Sequence, residues 1–165
     1  GTEIIQRLKD REHLILLSMV IAPEDPTLEI PVAFKVGHEL RENESELPLS
    51  DLAFHLRDAV RFNGRKIFYS WIGGTRKEWR GQGHHRALTE QQEEWAHQHG
   101  YDELVVKTKN KFYSMRTTLD HLRFDVIKFE QNHTDNRESK VYLSKQLGID
   151  TLRGHLTSRS VVEAA

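Results

Sequence analysis

The stretch Ile72-Gly73-Gly74-Thr75-Arg76-Lys77-Glu78-Trp79-Arg80-Gly81-Gln82-Gly83-His84-His85-Arg86-Ala87-Leu88 decides how the chain is read. It follows the apolar run Ile67 to Ile72 and precedes a polar, helix-favouring run that stops at Gly100, the pattern of strand, loop and helix start. The first turn of a helix carries backbone N–H groups without partners and the positive end of the helix dipole, so such a junction attracts anions. Gly81 and Gly83 let a ligand approach bare backbone, and Arg76, Lys77, Arg80 and Arg86 add full charges around it. These features predict a pyrophosphate cradle. The spacing alone is weak support, because glycines one residue apart with basic neighbours also occur in ordinary turns. Neither a Walker motif nor a dinucleotide fingerprint is present. No lysine and hydroxyl follow the last glycine, and Arg86 stands where the third glycine of G-x-G-x-x-G belongs.

Around this junction, 165 residues fit one domain that can bury a core without staples. No cysteine is present, which excludes disulfides, thiolate zinc sites and a cysteine nucleophile together. With 24 basic and 25 acidic residues the formal net charge is −1, so no overall field draws the chain to nucleic acid or an anionic membrane. No apolar run approaches the ~20 residues of a membrane span, and the start lacks the charged-then-apolar pattern of a secretory signal. A cytoplasmic protein is the expectation. The chain opens Gly1-Thr2 without Met, which suggests a trimmed start.

Working outward, Thr2 to Glu12 reads as a short amphipathic helix with Thr2 as its cap. Leu14 to Ala22 is a nearly continuous apolar run, as expected of a strand buried on both faces. After the turn Pro23 to Pro26, the alternation of Val32, Phe34 and Val36 predicts a second strand over Ile30 to Leu40, antiparallel to the first. An acidic loop, 41 to 48, leads to an inserted helix over about 50–62. Lys66 to Ile72 is the strand feeding the cradle, His85 to His99 the helix leaving it, and Tyr101 to Thr108 a further buried strand. Phe112, Met115, Leu119 and Leu122 recur at three and four residues and predict the core stripe of another helix. Asp125 to Phe129 and Lys140 to Leu143 are short strands that can pair. The fold class is therefore α/β, a central sheet of mixed direction flanked by helices, in one domain over 1–147. Residues 148–165 lose periodicity and form an extension of unknown role.

With the cradle between a central strand and a helix, the chain resembles the GNAT superfamily of acyl-CoA-dependent N-acetyltransferases. The family motif Q/R-x-x-G-x-G/A is matched by Arg80-Gly81-Gln82-Gly83-His84-His85, with His85 where the last small residue is usual. Phe68 to Thr75 is similar to the family's splayed strand and Gln91 to Tyr101 to its long helix and following turn. Thr108 to Met115 with Leu122-Arg123-Phe124 resembles the Asn-led helix that ends in L-G-F, Arg123 replacing glycine. The strand and helix with which members usually begin have no counterpart before Glu3.

The resemblance implies acetyl-CoA as co-substrate, with no metal. Backbone amides of Gly81, Gln82, Gly83, His84 and His85, with Arg80 and Arg86 nearby, would hold the pyrophosphate. Gly74 and Thr75 would pair with the pantetheine arm, and Asn110 would bond its far end. The acceptor would be an amine of a small molecule or peptide, attacking the thioester directly in a ternary complex. A homodimer is left open.

Acyl transfer to an amine needs a neutral amine in line with the carbonyl, a donor for the developing oxyanion and a proton for the leaving thiolate. A free N–H near Gly74 or Thr75 is the expected donor. Glu39 is the first choice of base, on the expectation that its strand end lies beside the cradle, and His38 the second. Most acidic side chains are simply solvated, and that reading stands beside the catalytic one. The family's usual acid, a tyrosine, falls at Leu119, so Tyr113 on the same helix is the candidate, with helix packing as its ordinary reading. The histidine pairs lack the i, i+4 spacing of a metal site. Two alternatives remain: a CoA-binding module without turnover, and an RNA-associated protein using Arg76, Lys77 and Arg80, which the near-neutral composition disfavours.

Overall fold

The computed structural model describes residues 1–150 and His155. Helix α1 (Thr2–Leu8) leads into a hairpin of β1 (His13–Ala22) and β2 (Asp25–Leu40). Helix α2 (Leu49–Leu56) is followed by β3 (Ile67–Thr75), a 3-10 turn (Lys77–Trp79) and α3 (His84–Gln98). The chain continues through β4 (Glu103–Lys109), α4 (Tyr113–His121), β5 (Asp125–Glu130) and β6 (Lys140–Gln146).

Among the described residues, six strands form one sheet in the order β1-β2-β3-β4-β6-β5. Only β3 and β4 run parallel, as they must when a helix carries the chain from the end of one strand back to the start of the next. All other neighbours are antiparallel. The expected mixed sheet and its order along the chain are observed.

Alternation along the strands divides the core between two faces. On one face, Leu49, Leu52 and Leu56 of α2 pack with Leu40, Ile67, Tyr69, Val105 and Tyr142. On the other, Ala96 of α3 and Leu119 and Leu122 at α4 pack with Phe68, Leu104, Val106, Val141 and Leu143. Two buried carboxylates of this frame are paired: Lys145 meets Glu93 at 2.6 Å, and Arg65 meets Glu103 at 3.0 Å.

Three expectations are corrected. β1 is buried on one face only. It is the edge of the sheet, and α3 reaches the side bearing Leu14, Leu16, Ser18 and Val20, so Ile15, Leu17, Met19 and Ile21 on the opposite side remain exposed. The stripe on α4 is half what the spacing predicts. Leu119 and Leu122 are core, whereas Phe112 and Met115 are exposed along a cavity. Thr2 is inside α1 rather than its cap. Arg123, where the resemblance expects glycine, has φ 66°, so the left-handed turn persists without the residue that adopts it freely.

Candidate active site

Pairing between β3 and β4 ends at Ser70 opposite Val106, yet β3 runs on to Thr75 and β4 to Lys109. Beyond that point β3 is held only by β2, and β4 only by β6. The strands therefore form a fork whose facing backbone groups have no partner in the sheet. A bulge marks its base: Val36 opposes Ile72 and Gly37 opposes Ser70, leaving Trp71 as the extra residue of β3. The bulge lies three residues before Gly74, at the point where pairing with β4 ends. Gly74 itself lies under the Phe34 ring, 3.1 Å from where a Cβ would stand, so glycine there gives the flat approach of ring to strand.

The fork opens onto the start of α3. Gly81 and Gly83 have φ 77° and 86°, left-handed values that favour glycine, and a Cβ on either would meet nothing within 4 Å. The loop thus needs glycine for its path, and space is left above it. Gly83 caps α3 without any side-chain hydrogen bond, and no acidic residue lies in the first turn. The amides of that turn face the space uncapped, with the helix dipole behind them. Arg80 Nε donates to the Thr75 carbonyl at 3.3 Å and ties the cradle to the end of β3. Ser18 Oγ and His84 Nδ1 are 2.7 Å apart, which anchors the helix start to β1.

Fork and cradle share one cavity of about 1150 Å³, lined by β3 from Ser70 to Thr75, the cradle residues Trp79, Arg80, Gly81, Gly83, His84 and His85, β4 from Val106 to Thr108, and the region Lys111 to Leu119. Lys35 of β2 also reaches it. Four cations line this space (Lys35, Arg80, Lys107 and Lys111) and, among the described residues, no Asp or Glu does. Burial and the neighbouring Lys140 hold the Lys107 ammonium below its ordinary pKa. The cavity is built for an anionic ligand. An elongated diphosphate carrier fits this donor set, with uncapped amides at one end and a strand edge along the arm.

The expected site residues divide. Gly74, Thr75, Arg80, Gly81, Gly83, His84, His85 and Tyr113 line the cavity; Gln82, Arg86 and Asn110 do not. Asn110 is engaged elsewhere: its Nδ2 donates to the Asn136 carbonyl at 3.1 Å, and its Oδ1 accepts from Arg116 at 2.5 Å. Arg86 Nε donates to Glu90 at 3.1 Å.

Glu39 is a correction. It opposes Phe68, near the beginning of β3, whereas Ala33 near the other end of the pairing opposes Thr75. Because β2 runs antiparallel to β3, its last residues lie beside the start of β3 and not beside the cradle. Glu39 is instead bound by Arg41 at 2.8 Å and borders a separate, smaller cavity. His38 is likewise absent from the fork. It is fully buried, 2.7 Å from the Glu39 carbonyl through Nδ1 and 3.4 Å from Arg7 Nη1 through Nε2. Arginine only donates and a carbonyl only accepts, so Nδ1 carries the proton of a neutral ring. Burial pushes its pKa down to about 4.

Missed from the sequence were Lys35 and the polar residues Gln92 and Glu93, buried where α3 meets the sheet. A lysine between Phe34 and Val36 reads as a solvent-facing strand position. The available signal was glycine: Gly37 two residues along the same face leaves no room for a Cβ, which would stand 2.2 Å from the Phe68 ring and 2.7 Å from Gln92 Nε2.

With its splayed parallel pair and glycine-rich turn into α3, the chain has a GNAT-like fold, shared with solved acetyltransferases. No protein-family model and no curated protein matches the sequence. Among solved structures, the fold is similar to Arabidopsis thaliana NAA60 in complex with acetyl-CoA, at 11% identity and TM-score 0.68 over 88% of this chain and 83% of that one. A chain of the NatC complex bound to Gag peptide and CoA is 14% identical with TM-score 0.63, covering 89% and 77%. The ribosomal-protein-S18-alanine N-acetyltransferase from Escherichia coli is 12% identical with TM-score 0.59, covering 90% and 78%.

Proposed function

We propose that this protein is an N-acetyltransferase that transfers an acetyl group from acetyl-CoA to an amine of a peptide or small molecule. The observation that carries the reading is the fork: a parallel strand pair opened beyond Ser70 and Val106, leading into a glycine-rich, uncapped helix start. Structures of similar fold hold CoA or acetyl-CoA, and one of them a peptide.

When bound, acetyl-CoA supplies a thioester activated for attack by an amine. The amides of Gly81, Gly83, His84 and His85, with Arg80, hold the diphosphate, and the open edge of β3 orients the arm. A backbone N–H of β3 near Gly74 or Thr75, beyond the pairing with β4, stabilises the developing oxyanion. Tyr113, a largely exposed phenol on the cavity wall, protonates the leaving thiolate. No carboxylate of the wall takes up the amine proton, which leaves through water.

Calorimetric titration with acetyl-CoA tests the binding half, and thiol release with a panel of amines the chemical half. Saturable binding with turnover on at least one amine supports the enzyme; binding without turnover on any amine makes the protein a CoA-binding module; no heat at millimolar acetyl-CoA removes both. Tyr113→Phe is expected to lower kcat about 10²-fold, the lower range for loss of a general acid, with acetyl-CoA affinity unchanged.

A further inference from the structure

Lys35 lies on the face of β2 turned toward α3 and is only 6% exposed, yet it lines the cavity. Among the described residues it makes no hydrogen bond and no ion pair. Buried ammonium groups are ordinarily paired, because leaving water without a counter-ion is costly. Glu93 of α3, whose charge acts on Lys35, is already held by Lys145 at 2.6 Å and His155 at 2.8 Å.

The neighbours of Lys35 leave it uncovered on the cavity side. Opposite it, β1 places Leu16 and β3 places Gly73, whose absent side chain would stand 3.6 Å from Lys35 Cγ. The titratable groups of α3 that act on it or on its surroundings are Glu93, which favours the charged form, and His85, in the first turn. His85 feels the Lys35 charge directly, and its Nε2 is buried without a partner at the same wall. An unpaired cation, an unpaired imidazole nitrogen and the uncapped amides of α3 therefore converge on one space.

We propose that Lys35 is a direct ligand of the carrier's diphosphate, reaching it from the sheet side of the cavity while the amides of α3 hold it from the helix side. The inference rests on the acetyl-CoA reading above. Its ligand class is a diphosphate ester: two phosphates in tandem can span the helix start and a point charge beneath it, and an ammonium is a compact partner for phosphate. Recognition from the sheet also explains why the loop needs few basic side chains on the cavity wall itself, where Arg80 alone of its four cations is found.

Burial lowers the Lys35 pKa to about 8, the Glu93 charge opposing the shift. A bound diphosphate favours the charged form and raises that pKa, so binding above pH 8 takes up a proton. Affinity is then full below about pH 8 and falls as pH rises, by up to tenfold per unit, until the bound-state pKa is reached.

The test is calorimetry of acetyl-CoA binding from pH 7 to 9.5 on the wild type and Lys35→Met, in two buffers of different ionisation enthalpy. Inorganic pyrophosphate serves as a second probe. For wild type we expect proton uptake at pH 8.5 and weakening above pH 8 with acetyl-CoA; for Lys35→Met, at least tenfold weaker binding of both probes at pH 7 and, with acetyl-CoA, no uptake and no slope. Removing an unpaired buried cation should leave the unliganded melting temperature equal or higher, so the variant remains testable. If it does not fold, the wild-type proton uptake decides alone. Acetyl-CoA binding by Lys35→Met with wild-type affinity and slope, or wild-type binding without proton uptake, overturns the role of Lys35 and leaves the acyltransferase reading intact. Failure of the wild type to bind acetyl-CoA overturns both.

Discussion

The two halves of β3 share a strand and differ in everything else. From Ile67 to Ser70 the strand is paired on both sides and buried on both faces; from Trp71 to Thr75 it is paired on one side and borders open space. Glycine shows the contrast most directly. Beside the closed half a Cβ at Gly37 of β2 would collide with the Phe68 ring, whereas in the loop beyond the open half Cβ atoms at Gly81 and Gly83 would meet nothing within 4 Å. The closed half is organised by packing and the open half by unmet backbone and charge, so changes in one should register as stability and in the other as binding.

The largest effect is expected in the closed half. Leu104→Ala, at a fully buried position among Phe68, Val106 and Leu119, should cost about 2–5 kcal/mol in denaturant unfolding. The acetyl-CoA affinity of the protein that stays folded should not change. A loss of affinity beyond the loss of folded protein would break the separation of the halves.

Acid acts on both. His38, beside the closed half, and His85, in α3 beyond the open half, have pKa values lowered to about 4 by burial. Between pH 6.5 and 4 the unfolded chain binds protons that the folded one refuses, so stability is intact above about 6.5 and declines as pH falls toward 4. The cost is ~1.4 kcal/mol per pKa unit for a wholly buried ring. His38→Asn should flatten this decline in melts between pH 7 and 4.5; an unchanged slope would assign it to other groups.

At the open half, Gly83→Ala forces a Cβ into a left-handed position and should cost about 1–2 kcal/mol of stability. It should also lower acetyl-CoA affinity about tenfold, because the amides it displaces are the proposed seat. A stability loss with undiminished affinity would move the seat elsewhere. The smallest effect is expected for Glu39→Gln. An exposed pair with Arg41, remote from the cavity, should matter by less than ~0.5 kcal/mol, and thiol release should be unchanged. A collapse of turnover would reinstate Glu39 and overturn the geometry argued here.

Element order, sheet direction and the cradle were legible because each has a local signature: apolar runs for strands, period-3.6 stripes for helices, glycine and arginine at the turn. What was not legible depends on which strand end meets which. Glu39 looked close to the cradle until the antiparallel register set Phe68, not Thr75, beside it. Lys35, between Phe34 and Val36, carries no local sign that α3 will lie across it. β1 looked doubly buried because an apolar run carries no sign of being the last strand of its sheet. Asn110 matched its motif, yet its amide is spent on Asn136 and Arg116, contacts no spacing foretells.

The wall without Asp or Glu has a further result for the choice of acceptor. If the protein lends no strong proton sink, an acceptor must arrive already uncharged, and its intrinsic basicity then sorts one from another. An α-amine with pKa near ~8 is neutral at pH 7 about 200 times more often than a lysine side chain at ~10.4. Chain termini and other weak bases would outpace lysines by that margin before any contact with the groove discriminates between them.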